Sequence, residues 1–466
     1  MNNITVLLIA QVSILIGLPI FRRLLVFSDS DKIRVRKIYS SIVSLSLAGF
    51  SIIIFALTIH YLNANAFSNL TEEITLFSIS GYNFALGFQL TQIRVLLFVG
   101  ITSAVALINF YLVWSQEKWT IDQVDRISIY SVISILIILS PNFFQLLFFI
   151  IVADLVLIEL LYSLNQEESK QKNLKIMTAS FGVGDFLICT AFILLFRRSK
   201  SFDFDIILSD IQYKFFIFKP YFIVLCCLFL LGILAKSSLF PFHSWLPNIC
   251  SKESTWKFNP IMINIVLGIS LIFISPIYKL LVSVPNYYAW YGIIFSVIAT
   301  IFAIFLAKEF EKQILVFSSS IGLLLISIGS GNLSSAFQLL MMLPFAFLGL
   351  VILSSKSIKI HIDSPTDQRS KKILRSIANI LIVTIIMVSI ISVIPFSSNL
   401  LTLGYLFTSN IVDLSLLVYI LSIGSILGIT LICIQISWKY FKQNLFKKLK
   451  FSELFPLIMI LVFLSA

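Results

Sequence analysis

Long apolar stretches separated by short polar segments run through the whole chain. A helix needs about 20 mostly apolar residues to cross the hydrocarbon core of a membrane. We expect one helix in each of fourteen stretches: 4–21, 39–61, 90–114, 127–141, 144–164, 174–196, 220–240, 260–282, 286–307, 312–330, 333–355, 374–395, 412–437 and 454–466. The fourth stretch is short and the seventh continues into further apolar residues, so thirteen or fifteen spans also fit. The pattern predicts an all-α, polytopic membrane protein.

Composition supports the same class. The chain of 466 residues is 59% hydrophobic and only 12% charged, whereas about a quarter of the residues of a soluble domain are charged. This excludes a soluble enzyme and a soluble nucleic-acid-binding protein. No compositional boundary or low-complexity linker interrupts the chain, so we expect a single membrane domain over residues 1–466. The first stretch has no basic residue before it and no small-residue cleavage site after it, so we expect no cleavable signal.

The basic residues indicate the orientation. Most of the 34 Lys and Arg residues fall in the loops that follow odd-numbered spans, and loops rich in Lys and Arg stay on the inner side of a membrane. The net charge of +12 is therefore explained by topology, without a nucleic-acid partner, and both termini are expected on the outer face. The loop at 197–219 breaks this rule, and its alternating FDFDIIL sequence predicts a short strand or hairpin at the outer surface.

Charged residues inside spans are costly and are therefore functional candidates. They are Arg94, Asp154, Glu159, Asp185 and Lys236. Arg94 lies near the end of its span, so we expect its side chain to extend to the membrane surface. Glu159 lies about one turn from the end of its helix, which favours a solvated, interfacial position.

Lys236 ends an uncharged run that begins at Pro220, and Pro241 follows it closely. A proline inside a helix removes a backbone hydrogen bond and interrupts the helix. Membrane transporters place ion-handling groups at such interruptions, and a desolvated lysine can exchange its proton near neutral pH. A lysine that is paired for structure alone, or that extends to the surface, is the alternative from the residues.

Three further features surround this lysine. Asp185 lies in FGVGDF, where two glycines allow close helix approach, so the residues favour a structural carboxylate at a packed crossing. His243 in PFHSWLP has the chemistry of a proton relay, although its aromatic and proline neighbours equally suit an interface anchor. Because an unpaired lysine is costly in hydrocarbon, we predict that Asp154 pairs with Lys236. Its rival is packing of Asp154 against another subunit or a lipid headgroup. The five cysteines lack metal-site spacing.

The segment AKSSLFPFHSWLP, at 235–247, resembles the antiporter-like membrane subunits of respiratory complex I, and chain 5 among them most closely. Other stretches are similar to that family in the same order along the chain: 143–164, 180–186, 310–322 and 334–353. The resemblance extends over about residues 80–400, and the block around Lys236 is its most specific part.

The resemblance implies fourteen helices with two inverted five-helix repeats, here 127–282 and 286–437, and interrupted seventh and twelfth helices. It implies proton translocation coupled to quinone reduction, with other membrane-arm subunits and phospholipids as partners. The excess of Phe and Ile, with 44 Phe residues, and the lack of a basic presequence favour the mitochondrial inner membrane. The proton-path candidates are Lys236, Asp154, Asp185, His243 and Glu159. The resemblance also implies that flavin mononucleotide, iron–sulfur clusters and ubiquinone are bound by other subunits. For the flavin and the clusters the sequence agrees, since it has no glycine-rich nucleotide loop and no cysteine cluster.

The chain departs from the family at its central charged positions, which fall on Ile151, Val266, Met342, Ala346 and Leu403. Asp154 lies one helical turn from Ile151, so it is the candidate replacement for the carboxylate of the fifth helix. No long lateral helix like that of chain 5 follows the fourteenth stretch, so we expect that helix to be either absent or supplied by a separate polypeptide. Chain 4 or 2 of the same complex, a related cation/proton antiporter subunit, a non-pumping structural subunit and a standalone transporter therefore remain alternatives.

Overall fold

The computed structural model describes residues 3–24, 70–79, 82–114, 121–164, 168–214, 219–237 and 258–274, with scattered positions between 39 and 56 and between 242 and 325. Its elements are α1 (Asn3–Leu24), β1 (Leu70–Ile79), β2 (Tyr82–Leu90), α2 (Gln92–Trp114), α3 (Ile121–Ile138), α4 (Phe143–Leu164), α5 (Glu168–Ser199), α6 (Phe204–Lys214), α7 (Lys219–Lys236) and α8 (Phe258–Ile274). The predicted spans from 333 onward lie outside the described residues.

Most of these helices coincide with predicted spans. Among the described residues, two helical segments are long and apolar enough to cross a membrane, Phe143–Ser163 and Lys172–Ser199. Shorter apolar helical segments occur at Leu8–Ile20, Ile93–Ser103, Pro220–Lys236 and Ile263–Ile272. The seventh predicted span ends earlier than expected, because α7 stops at Lys236.

The segment after α5 is a helix and not the predicted strand. In α6 the side chains of Phe204, Ile207 and Ile211 are buried, a spacing of three and four residues that places them on one helical face. Asp205 lies in the first turn, where a carboxylate interacts favourably with the helix dipole. The strand prediction was wrong because the alternation of Phe and Asp covers too few residues to outweigh this longer helical period.

A β-hairpin precedes α2, so the fold is mostly helical and the all-α prediction was wrong in this segment. β1 and β2 pair antiparallel from Leu70↔Leu90 to Ile79↔Tyr82, which leaves two residues between the strands. The side-chain amide of Gln145 accepts a hydrogen bond of 2.8 Å from the backbone N–H of Gly87 and donates one of 3.0 Å to the Gly87 carbonyl. A Cβ at Gly87 would lie 2.2 Å from a backbone oxygen of β1, so this approach requires glycine.

The helices that carry the charged residues pack in sequence: α3 against α4, α4 against α5, and α5 against α7. Asn142 caps the N-terminus of α4, since its side-chain oxygen accepts a hydrogen bond of 2.9 Å from the backbone N–H of Gln145. The chain divides into two compact units, residues 1–249 with 260–283 and residues 250–259 with 284–466. Every side chain of the candidate site belongs to the first unit.

Candidate functional site

The site is built around Lys236, the last residue of α7. Its side chain is buried, and its ammonium group donates hydrogen bonds to Oδ2 of Asp154 on α4 and to Oδ1 of Asp185 on α5. The distance from Nζ to the Asp185 oxygen is 2.7 Å. The pairing predicted between Asp154 and Lys236 is therefore present, and Asp185 joins it as a second carboxylate.

Two glycines bring α5 and α7 close enough for this contact. A Cβ at Gly184 would lie 2.9 Å from the carbonyl oxygen of Gly232 and 3.1 Å from the Cβ of Lys236. The Ser180 hydroxyl adds a hydrogen bond of 2.9 Å to the carbonyl of Ala235. Because Asp185 directly follows Gly184, the close crossing places its carboxylate beside the end of α7.

The cluster of Asp154, Lys236 and Asp185 has an unequal charge balance. With all three groups ionised, two carboxylates face one ammonium, and binding of one further proton makes the cluster neutral. Burial favours the neutral state, because an uncompensated charge in a low-dielectric environment is costly. Oδ1 of Asp154 has no hydrogen-bond partner among the described residues. The cluster can therefore bind and release one proton while Lys236 keeps an ion pair with the other carboxylate.

Aromatic side chains close one side of the cluster. Nζ of Lys236 lies 6.0 Å from the centroid of the Phe181 ring. The indole of Trp245, which is buried, packs edge-on against Phe181 at 5.8 Å between centroids. These rings exclude water from that side and strengthen the electrostatic interactions inside the cluster.

Two uncharged side chains, Tyr130 and Asn264, connect α3 and α8 to the backbone of Lys236. The Tyr130 hydroxyl on α3 donates a hydrogen bond of 2.8 Å to Oδ1 of Asn264 on α8, and both side chains are buried. Nδ2 of Asn264 lies 3.4 Å from the carbonyl oxygen of Lys236. Asn264 lies two residues before Val266, one of the family positions, and Tyr130 has no signal in the sequence beyond a polar atom within an apolar span.

Other predicted residues lie elsewhere. Glu159 is five residues along α4 from Asp154, its side chain is 63% exposed, and it pairs with Arg126 at 3.0 Å. It therefore occupies the solvated position expected from its place near a helix end and does not join the cluster. His243 lies outside the described residues.

The expectation for Arg94 was wrong. Its side chain is buried, and its guanidinium donates hydrogen bonds to the carbonyl of Ser140 and, at 3.0 Å, to that of Ile274. Its guanidinium carbon also lies 5.4 Å from the ring centroid of Phe204. Carbonyls from the ends of two other segments satisfy the charge locally, so the side chain has no need to reach the surface.

Of the five family positions that carry no charge in this chain, only Ile151 has a described side chain. Ile151 is 42% exposed on α4, whereas Asp154 one turn later is buried and faces Lys236. A carboxylate at 151 would therefore point away from the lysine. Nothing is described for the side chain of Val266, and Met342, Ala346 and Leu403 lie outside the described residues. Among the described residues no group of three His, Cys, Asp or Glu side chains could hold a metal ion.

Solved structures share the fold of this chain. One is respiratory complex I from Thermus thermophilus with bound NADH, with a TM-score of 0.67 and 14% identity over 97% of this chain and 94% of that chain. The Mrp complex from Dietzia sp. DQ12-45-1b gives a TM-score of 0.69 and 14% identity over 98% of this chain and 49% of that chain. The membrane-bound sulfane sulfur reductase, an archaeal respiratory membrane complex, gives a TM-score of 0.65 and 13% identity over 93% of this chain and 74% of that chain.

Sequence comparison points the same way. The chain is 29% identical to NAD(P)H-quinone oxidoreductase subunit 5, chloroplastic, from Marchantia polymorpha over 163 residues, which cover 32% of this chain and 22% of that protein. The family described as "NADH:quinone oxidoreductase/Mrp antiporter, TM" matches residues 140–430, more than half of the chain. That range includes all three members of the buried charged cluster. The chain is thus a member of the NADH:quinone oxidoreductase/Mrp antiporter transmembrane family.

Proposed function

We propose that this chain is a divergent chain 5 of a proton-translocating NADH:ubiquinone oxidoreductase, and that it lies in the membrane arm of that complex. The observation that carries the proposal is the burial of Lys236 between Asp154 and Asp185. A buried cluster with one more carboxylate than ammonium binds a proton when the local potential is negative and releases it when the potential reverses. This is the elementary step of a proton pump.

The finer parts of the proposal follow from the resemblance. They are fourteen spans, inverted repeats at 127–282 and 286–437, and a place in the mitochondrial inner membrane beside other membrane-arm subunits and phospholipids. Flavin mononucleotide, iron–sulfur clusters and ubiquinone are assigned to other subunits of the complex. His243 belongs to the proposed proton path, and Glu159 is placed at its solvated end, where it pairs with Arg126.

A second candidate is a subunit of a cation/proton antiporter complex. It is favoured by the Mrp complex, whose chain gives a TM-score of 0.69 with this one. The two candidates differ in what drives proton movement. Oxidation of NADH in sealed vesicles drives it in the first case, and an imposed Na⁺ gradient drives it in the second.

Replacement of Lys236 by Met tests the proposal in the intact membrane complex. We expect proton translocation to fall by about 100-fold, because a positioned proton-transfer group typically contributes at least that factor. Lys175→Met, which removes an exposed lysine of α5, is the matched control. Assembly is checked by co-purification with the flavin-containing and iron–sulfur subunits. Normal proton translocation in an assembled Lys236→Met complex would remove the lysine from the mechanism and favour a structural subunit.

A further inference from the structure

The carbonyl end of α7 coincides with the buried lysine. The last four carbonyl groups of a helix lack partners within the helix, and Lys236 is the final residue of α7. Any group that binds its carbonyl therefore also fixes the backbone from which the ammonium group extends. Nδ2 of Asn264 occupies this position, 3.4 Å from the carbonyl oxygen.

The orientation of the Asn264 amide is determined by its two partners. The carbonyl of Lys236 can only accept a hydrogen bond, so the nitrogen of the amide must face it. The amide oxygen then accepts the hydrogen bond from the Tyr130 hydroxyl at 2.8 Å. All donors and acceptors agree with this single arrangement, and both side chains are buried.

A second contact places α8 against the same point of the chain. A Cβ at Gly268, one turn after Asn264, would lie 2.3 Å from the hydroxyl oxygen of Ser237. The backbone of α8 thus touches the residue that directly follows Lys236. Asn264 and Gly268, one turn apart on α8, therefore contact Lys236 and Ser237 at the end of α7.

We propose that Tyr130 and Asn264 form a positioning pair that fixes the carbonyl end of α7 and thereby keeps the Lys236 ammonium between its two carboxylates. This inference rests on the proposed role of Lys236 in proton translocation. The pair is not itself a proton path, because a carboxamide does not titrate and Tyr130 directs its hydroxyl proton to the amide oxygen. The end of α7 is therefore held by uncharged groups from α3 and α8, while α4 and α5 supply the charges.

The first test is amide hydrogen exchange of residues 233–237 in the intact complex. Tyr130→Phe removes one hydroxyl and keeps the ring, and Asn264→Leu removes both hydrogen bonds. We expect Tyr130→Phe to speed exchange in this segment by about fivefold, the factor that corresponds to one ordinary hydrogen bond. Asn264→Leu should speed it by at least as much, because it also removes the contact with the Lys236 carbonyl. The matched control is Ser131→Ala, since the hydroxyl of the neighbouring, buried Ser131 donates its hydrogen bond to the Ile127 carbonyl of its own helix.

The second test is the pH profile of proton translocation. A displaced Lys236 changes its interaction with the carboxylates, so Tyr130→Phe should shift the pH of half-maximal translocation. The double variant Tyr130→Phe/Asn264→Leu should have no larger effect than Asn264→Leu alone, because the two residues act as one unit. Tyr130→Phe keeps the test decisive if Asn264→Leu does not assemble.

Unchanged exchange at 233–237 in Tyr130→Phe, or an equal change in Ser131→Ala, would overturn the inference. So would a loss of translocation in Tyr130→Phe with an unchanged pH profile and unchanged exchange, which would make Tyr130 a proton carrier. Amide hydrogen exchange does not depend on proton translocation, so the exchange measurement tests the positioning pair independently of the proposed function. If Lys236→Met pumps normally, the proposed function fails while the exchange result still decides whether the pair holds α7.

Discussion

The two carboxylates of the buried cluster differ in their contact with the surroundings. The side chain of Asp154 is 5% exposed, whereas that of Asp185 is 18% exposed. A charge that keeps some contact with polar surroundings costs less than a fully buried one. Within the proposed mechanism, the more deeply buried Asp154, whose Oδ1 has no hydrogen-bond partner among the described residues, is therefore the carboxylate at which the further proton binds.

A half-buried carboxyl outside the membrane-spanning helices gives a pH-dependent prediction. Burial and the neighbouring Asp205 raise the pKa of Asp203 above its ordinary value of 3.8. The folded state then binds this proton more tightly than the unfolded state, so protonation of Asp203 contributes stability that is fully present below pH 3.8. That stability is lost as the pH rises through the raised folded pKa. At neutral pH, Asp203→Asn should slow amide exchange around the start of α6 by about twofold.

The measurement compares exchange in Asp203→Asn and the parent protein at acidic and at neutral pH. The difference should shrink at acidic pH, where Asp203 is protonated in the parent protein as well. Asp210→Asn, further along α6, is the control. A difference that grows at acidic pH would contradict the assigned sign.

Single residues could be predicted from the sequence where a charge interrupts an apolar run. Lys236, Asp154 and Asp185 all carry that signal, and the structure brings their side chains together. Arg94 carries it too, but its partners, the carbonyls of Ser140 and Ile274, are 46 and 180 residues away along the chain. Only the folded chain shows that these carbonyls are within reach. Uncharged pairs such as Tyr130 and Asn264 have no sequence signal strong enough to be found.

Helices were predictable at the scale of elements because span length depends on membrane thickness alone. The hairpin of β1 and β2 was not, because its partners are side chains from distant segments. The ring of Phe84, for example, lies 4.8 Å from that of Phe144 and 5.1 Å from that of Phe202. Short polar segments depend on such contacts and not on a periodic pattern of their own.

The crossing of α5 and α7 gives a prediction at this scale. A Cβ at Gly232 would lie 2.7 Å from Cγ1 of Ile188 and 2.9 Å from the carbonyl oxygen of Gly184. Gly232→Ala must therefore push the helices apart, at a cost of about 1–3 kcal/mol, and draw Asp185 away from Lys236. We expect a lower thermal stability of the complex and slower proton translocation.

Gly182 on α5 provides the matched control for this crossing. A Cβ there would meet nothing within 4 Å, so Gly182→Ala should leave both thermal stability and translocation at the parental level. Thermal unfolding of the detergent-solubilised complex and proton translocation in proteoliposomes measure the two effects. Equal behaviour of the two alanine variants would show that the close approach of α5 and α7 is unimportant.

At the scale of the whole molecule, the charged cluster lies in one compact unit, formed by residues 1–249 and 260–283. The family positions at Met342, Ala346 and Leu403, in the other unit, carry no charge in this chain. The apolar side chains at these positions cannot bind or relay a proton, so proton exchange through the second unit would depend on water and on uncharged polar groups. The proposed mechanism therefore assigns the titrating step to the first unit.

The distribution of basic residues predicts the orientation of that second unit. The loop at 356–375 carries Lys356, Lys359, Arg369, Lys371, Lys372 and Arg375. Basic loops stay on the inner side of the membrane, so we expect this loop to face the matrix, or the cytoplasm of a bacterium. A protease site inserted after Asp363 should be cut only from that side of sealed vesicles, and one inserted after Ser201, between α5 and α6, only from the other. Cleavage of both sites from the same side would reject the predicted topology.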